Sequence, residues 1–104
     1  GIRLKMLELV GNISLQSKGV HEGIKGLRIR LYEKGTWRQI TTLVSDSEGN
    51  FGYLGLKKGK YIAQLDRKQL KILRLEAEED TVEFEIYGEH GNGDPLQFQV
   101  SFKR

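Results

Sequence analysis

Two histidine-acid pairs, His21-Glu22 and Glu89-His90, are the residues in this chain best suited to ligating a metal, because imidazole and carboxylate are both common donors. Both pairs fall in glycine-rich stretches that could meet at one end of a fold. A metal centre needs three or four ligands fixed together, and no further histidine and no cysteine is present to complete one, so surface histidines are expected. Asp46, Glu48 and Asn50 have the alternate spacing of a calcium loop, but the stretch stops without the distant bidentate glutamate that such a loop uses. A structural turn built on Asp46, Gly49 and Asn50 is the expectation there. No serine carries a histidine and an acid in any nucleophile motif, and there is no phosphate loop and no Cys-His pair. Glu76, Glu78, Glu79 and Asp80 form a run, the pattern of a solvated loop and not of a poised acid and base. The chain is therefore expected to be no enzyme, with no cofactor and no metal. What remains for binding is a contact stripe of Arg28, Arg30 and Tyr32; Tyr32 and Tyr87 fall on the polar faces of their strands and could stack on a sugar or on a partner protein, and Trp37 is a further candidate contact.

The elements that carry these residues are read from period-two alternation, the mark of strands with one face in a core. Leu27, Ile29 and Leu31 alternate with Arg28, Arg30 and Tyr32; Tyr61, Ala63 and Leu65 alternate with Ile62, Gln64 and Asp66. Val82, Phe84 and Ile86 do the same with Thr81, Glu83, Glu85 and Tyr87, and so do Leu96, Phe98, Val100 and Phe102 with their polar neighbours. Further strands are expected at Leu7 to Leu15, Gln39 to Ser45 and Phe51 to Leu54. Asp46 to Asn50 joins two of these as a bulged hairpin, and Lys57-Lys58-Gly59 repeats the device. Glycines at 19, 23 and 26, and the stretch from Gly88 to Pro95, read as open connections. Asp66 to Leu75 has mixed spacing and is expected to form a single helical turn plugging one end. Seven strands with tight turns predict an all-β, antiparallel sandwich, with Leu27, Ile29, Leu31, Phe51, Tyr61, Leu65, Val82, Phe84, Phe98 and Val100 in the core. Trp37 and the phenylalanines are expected in the core or at its rim.

With 104 residues and no cysteine, the chain has the length for one sandwich domain over residues 1–104 and can hold it without bridges. No apolar run is long enough to span a membrane, so no direct membrane insertion is expected. The net charge of +3 hides a segregation: residues 57–74 carry +6 and residues 75–104 carry −6. If these segments become neighbours they neutralise each other, which leaves too little field for a nucleic-acid face, and no nucleic-acid partner is expected. The chain begins Gly1-Ile2-Arg3-Leu4 without a methionine and reads as an excised piece.

Gly11-Asn12-Ile13, then Gly23 to Tyr32, then Val44-Ser45-Asp46-Ser47-Glu48-Gly49-Asn50-Phe51-Gly52-Tyr53-Leu54-Gly55-Leu56-Lys57-Lys58-Gly59-Lys60-Tyr61 resembles the pattern of carboxypeptidase regulatory-like domains and the B-type repeats of collagen adhesins. The resemblance covers residues 11–65, and each part has its own physical reason: Gly26 admits a sharp entry to a strand, Asp46 and Gly49 make a turn, and Phe51, Tyr53, Leu56 and Tyr61 supply inner-face bulk. It implies a transthyretin-like (prealbumin-like) Greek-key sandwich. It also implies a module of a larger bacterial envelope or secreted protein, in a spacer, display or adhesion role, and the final expected strand, ending within a residue or two of Arg104, suits the C-terminal module of such a chain. Its partners would be other domains of the parent, an envelope protein or a glycan. The alternative is a carbohydrate-binding module appended to an extracellular enzyme. The adhesin repeats often carry a lysine-to-asparagine isopeptide bond. Lys5 matches its lysine, but the acid is missing after Tyr61 and the last strand holds no asparagine, so none is expected. The ending Ser101-Phe102-Lys103-Arg104 lacks the Tyr-Arg-Gly-Ser motif of transthyretin-like hydrolases, and the paired tyrosines and His-x-His set of intradiol dioxygenases are missing too.

Overall fold

A computed structural model describes residues 9–88 and 91–104; Lys5, the start of the strand expected from Leu7, and the pair Glu89-His90 lie outside the described residues. The chain forms β1 (Leu9–Ser17), β2 (Val20–Gly23), β3 (Arg28–Glu33), β4 (Gln39–Val44), β5 (Asn50–Tyr53), β6 (Gly59–Leu65), α1 (Arg67–Ile72), β7 (Leu75–Ala77), β8 (Thr81–Ile86) and β9 (Leu96–Phe102). The all-β sandwich is as expected, but it has nine strands among the described residues in place of seven. The two unforeseen strands, β2 and β7, are short. In β2 every side chain before Gly23 is exposed, so no alternation marks it, and β7 begins at the last residue of the stretch of mixed spacing and runs into the acidic run expected to be a loop.

One sheet has the order β4-β3-β6-β8, antiparallel throughout. The other has the order β2-β1-β9-β7, with β5 also pairing β1. Strand β1 is long enough to serve two partners on one side. Its Leu9–Asn12 half pairs with β5 and its Ser14–Ser17 half with β2, while the opposite edge pairs in parallel with β9. The sheet is therefore not wholly antiparallel, because the first and last described strands run side by side in the same direction.

The core lies between the sheets, where Leu9, Ile13, Ile29, Leu31, Leu65, Phe98 and Val100 are almost inaccessible. Gly11 belongs to this inner face: a Cβ there would sit 2.2 Å from the Phe51 ring, which occupies the space on the paired strand. Phe51 in turn meets Phe98 at 6.1 Å between ring centroids, and Tyr61 stacks on Phe84 at 5.6 Å. Of the expected core only Val82 is half-buried, being near the start of the edge strand β8.

Five expectations need correction. Trp37 is 54% exposed and Phe102 is 55% exposed, since one sits in the β3–β4 turn and the other ends the last strand. Ile62, assigned to the wet face, is buried: it lies on an inner strand, opposite Tyr32 on one neighbour and Glu83 on the other. Asp66, also assigned to the wet face, is buried as the cap of α1. The Asp46 to Asn50 turn does not close a hairpin, because β4 and β5 belong to different sheets and the turn carries the chain across the sandwich. The helical turn at Asp66 to Leu75 does form, with Leu70 and Leu75 buried, while Ile72 and Leu73 face outward.

Candidate functional site

The outer face of the β4-β3-β6-β8 sheet gathers most of the candidate contact residues. Arg28, Arg30 and Tyr32 leave β3 on that side, as their alternation requires, but the two arginines are engaged. Arg28 Nε (3.2 Å) and Arg30 Nη2 (3.1 Å) both donate to Asp66 Oδ2. The other oxygen, Oδ1, accepts from the backbone N–H groups of Lys68 (3.0 Å) and Gln69 (3.2 Å) and caps α1. Burial disfavours the charged carboxylate, yet the Gln69 N–H and the two guanidinium groups outweigh it and hold Asp66 below the ordinary carboxylate range. Gln69 completes the clamp, accepting from the Arg28 N–H (2.8 Å) and donating to the Gly26 carbonyl (2.8 Å). An acid followed three residues later by glutamine is a helix-start pattern, so Asp66 and Gln69 had a sequence signal that alternation masked.

Tyr32 and Trp37 come together at 5.3 Å between ring centroids, tilted by 58°. Trp37 holds a left-handed backbone with φ 57°, a conformation that a bulky residue adopts only at a cost. The turn enforces it. The Trp37 N–H donates to the Glu33 carbonyl (3.0 Å) and the Glu33 N–H to the Arg38 carbonyl (2.9 Å). The Glu33 carboxylate accepts from Arg38 Nη2 (3.1 Å) and the Thr36 hydroxyl (3.0 Å), and these bonds lower its pKa, Arg38 contributing most. Tyr87 is exposed at the end of β8, where it lines a shallow groove with Lys34, Lys60, Glu83 and Phe84; it does not join Tyr32 and Trp37 in a ring-to-ring contact.

A larger cleft, of about 550 Å³, opens between the β3–β4 turn and the β5–β6 connection. Its cations are Lys34, Arg38, Lys57, Lys58 and Lys60, against the single acid Glu33. The charge segregation seen in the sequence is only partly cancelled: among the described residues Arg67–Asp80 (2.8 Å) is the one ion pair between the two segments, Lys60 lies opposite Glu85 across β6 and β8 without an ion pair, and Glu83 pairs instead with Lys34 (2.8 Å) from outside the basic segment. Lys57, Lys58 and Lys60 form no ion pair among the described residues. The signal for this cleft was the basic run itself, whose gathering against the β3–β4 turn needs the fold.

The remaining candidates are exposed apart from Gly49, but several are bonded within the chain. Asp46 Oδ1 accepts from the N–H groups of Glu48 and Asn50, both at 2.9 Å, and Asn50 Oδ1 accepts from Asn12 Nδ2 at 2.8 Å, so oxygens with calcium-loop spacing are turned to the chain's own donors. Gly49 is buried at φ 81°, and a Cβ there would meet the Ile13 carbonyl oxygen at 2.1 Å. His21 sits on β2 with Nδ1 3.4 Å from the Ser14 hydroxyl. Among the described residues no three histidine, aspartate or glutamate side chains gather to hold a metal.

Two stacked sheets, a parallel first-to-last strand pair and a short helix after the sixth strand make this a transthyretin-like β-sandwich. Solved structures share that fold: GBS52, the minor pilin of Streptococcus agalactiae, at 15% identity and TM-score 0.64 over 96% of this chain and 48% of that one. A second is the 5-hydroxyisourate hydrolase of Klebsiella pneumoniae, at 13% identity and TM-score 0.57 over 92% of both chains. The chain thus spans about half the length of the pilin. No family model matches the chain, and no curated protein matches it by sequence. The resemblance read from residues 11–65 holds at the level of the fold.

Proposed function

We propose that this chain is a non-catalytic structural and interaction module of a larger bacterial envelope or secreted protein, spacing or displaying other domains. The observation that carries the reading is the use made of its ionisable groups. Glu33, Asp66 and Asp80 are all held below the ordinary carboxylate range by hydrogen bonds and charges from Arg38, from Gln69, Arg28 and Arg30, and from Arg67 and Thr81. A general acid or base working near neutral pH needs its carboxyl shifted the other way. These groups brace turns and strands. The pilin with which the chain shares its fold supports a surface role, and the length match supports a module within a longer chain. The hydrolase shares the same fold, so the test must include its reaction. Antibody raised against the chain is expected to label intact cells of the source organism, and the purified chain to leave 5-hydroxyisourate decaying at its uncatalysed rate. Labelling only after permeabilisation, or turnover lost on substitution of any of these carboxylates, would overturn the reading.

One observation favours a carbohydrate-binding role as second reading: Trp37 is exposed, packed against Tyr32 with its ring tilted, and held in a left-handed conformation that the turn must stabilise. An exposed ring maintained against such strain is a candidate platform for a sugar face. Saturable binding on a glycan array, lost in Trp37→Ala and Tyr32→Ala, would establish it over the spacer role.

A further inference from the structure

We infer that the lysine-lined cleft between the β3–β4 turn and the β5–β6 connection binds an anionic glycan, one bearing sulfate or phosphate esters. The inference rests on the glycan-binding reading and names the chemistry of its ligand. Five cations against one acid line a space of about 550 Å³, and the acid, Glu33, is already bonded to Arg38. Lys34 reaches Glu83, which leaves Lys57, Lys58 and Lys60 as the charge without an ion pair among the described residues. Like charges clustered in a concave wall raise the local potential and draw in counter-ions. The segment that carries them is anchored, since the buried Tyr61 donates its hydroxyl hydrogen to the Lys57 carbonyl.

Three features choose the ligand. The three unpaired lysines lie on the surface and are spread along the β5–β6 connection and the start of β6, which suits charges dispersed along a chain better than one small buried ion. The same turn that supplies Lys34 and Arg38 presents Trp37 against Tyr32, outside the cleft lining, as an apolar surface for a sugar ring of an extended ligand. The adjoining groove is lined by Glu83 and Glu85, which oppose a backbone with a negative charge at every unit, such as a nucleic acid, and tolerate intermittent esters.

The test is titration of the full chain with dextran sulfate, with neutral dextran and with oligodeoxythymidine, each at two salt concentrations. Wild type is expected to bind dextran sulfate, more weakly at higher salt, and to ignore neutral dextran. The variant Lys57→Gln/Lys58→Gln/Lys60→Gln should lose about tenfold or more, the sum of three exposed charge contacts. The charge-matched variant Lys18→Gln/Lys68→Gln/Lys71→Gln should stay within about twofold, with both melts confirming folding. Equal loss in the two triple variants would mean diffuse attraction to a basic chain and would overturn the cleft, as would tighter binding of oligodeoxythymidine than of dextran sulfate. Loss of dextran sulfate binding in Trp37→Ala with none in the lysine triple would overturn the cleft while upholding the aromatic platform. Loss in the lysine triple alone upholds the cleft and removes Trp37 from the site.

Discussion

Asp66 divides its two carboxylate oxygens between tasks, one capping α1 and the other gathering Arg28 and Arg30. A six-residue helix is too short to persist alone, so the cap and the burial of Leu70 hold it in place. Asp66→Asn keeps a capping oxygen but removes the charge that both guanidinium groups face. It is expected to cost about 1 to 3 kcal/mol at pH 7, toward the lower end because Arg28 is half exposed. The pH dependence has a definite sign. The folded-state pKa of Asp66 is lowered, so its contribution is complete above the unfolded value of about 3.9 and is lost as pH falls through the folded value. Urea melts of wild type and variant should therefore differ most near neutrality and converge as pH falls through the folded-state value, which lies below the ordinary carboxylate range. A gap of the same size at both ends would show that the ion pairs contribute nothing.

Among the connections, the turn from β4 to β5 is the most tightly constrained, because it crosses between sheets against β1. Ile13 donates its N–H to the Gly49 carbonyl at 2.8 Å, so the turn is pressed against the middle of β1 and leaves no room for a side chain at Gly49. Gly49→Val brings two penalties together, a positive φ and a Cβ against a backbone oxygen that cannot move aside. The expected loss is about 3 kcal/mol, at the upper end of ordinary single substitutions. Glu48→Ala, two bonds of the same turn left intact, should stay within about 0.5 kcal/mol with or without calcium. Thermal melts of both variants in calcium and in chelator check this; a calcium-dependent rise in wild type that is absent in Glu48→Ala would show that the turn is an ion site.

Across the whole molecule, stability is concentrated where strands are covered on both edges. β1 and β9 pair in parallel at the centre of one sheet and β3 with β6 at the centre of the other, so their amides should exchange only on global opening. Amides of β2, exposed and paired on one side, should exchange at least about a hundredfold faster. Equal protection of β2 and β9 in hydrogen exchange would contradict this topology. The inner-face residues were legible from the sequence, because period-two alternation is a property of neighbouring positions: Ile29 with Leu31, or Phe98 with Val100, declares a core face wherever the strand lies. The local chemistry of Asp46 and Gly49 was legible for the same reason, as a turn motif closes within five residues. The destination of that turn was not, because adjacency along the chain does not say which sheet the next strand joins. The parallel pairing of β1 with β9, the burial of Ile62 and Asp66 on an outer face, the left-handed Trp37 over Tyr32, and the meeting of Lys57, Lys58 and Lys60 with the β3–β4 turn all depend on residues distant in sequence. Only the packed tertiary structure decides those, since each arises from a loop closure whose partner no local pattern names.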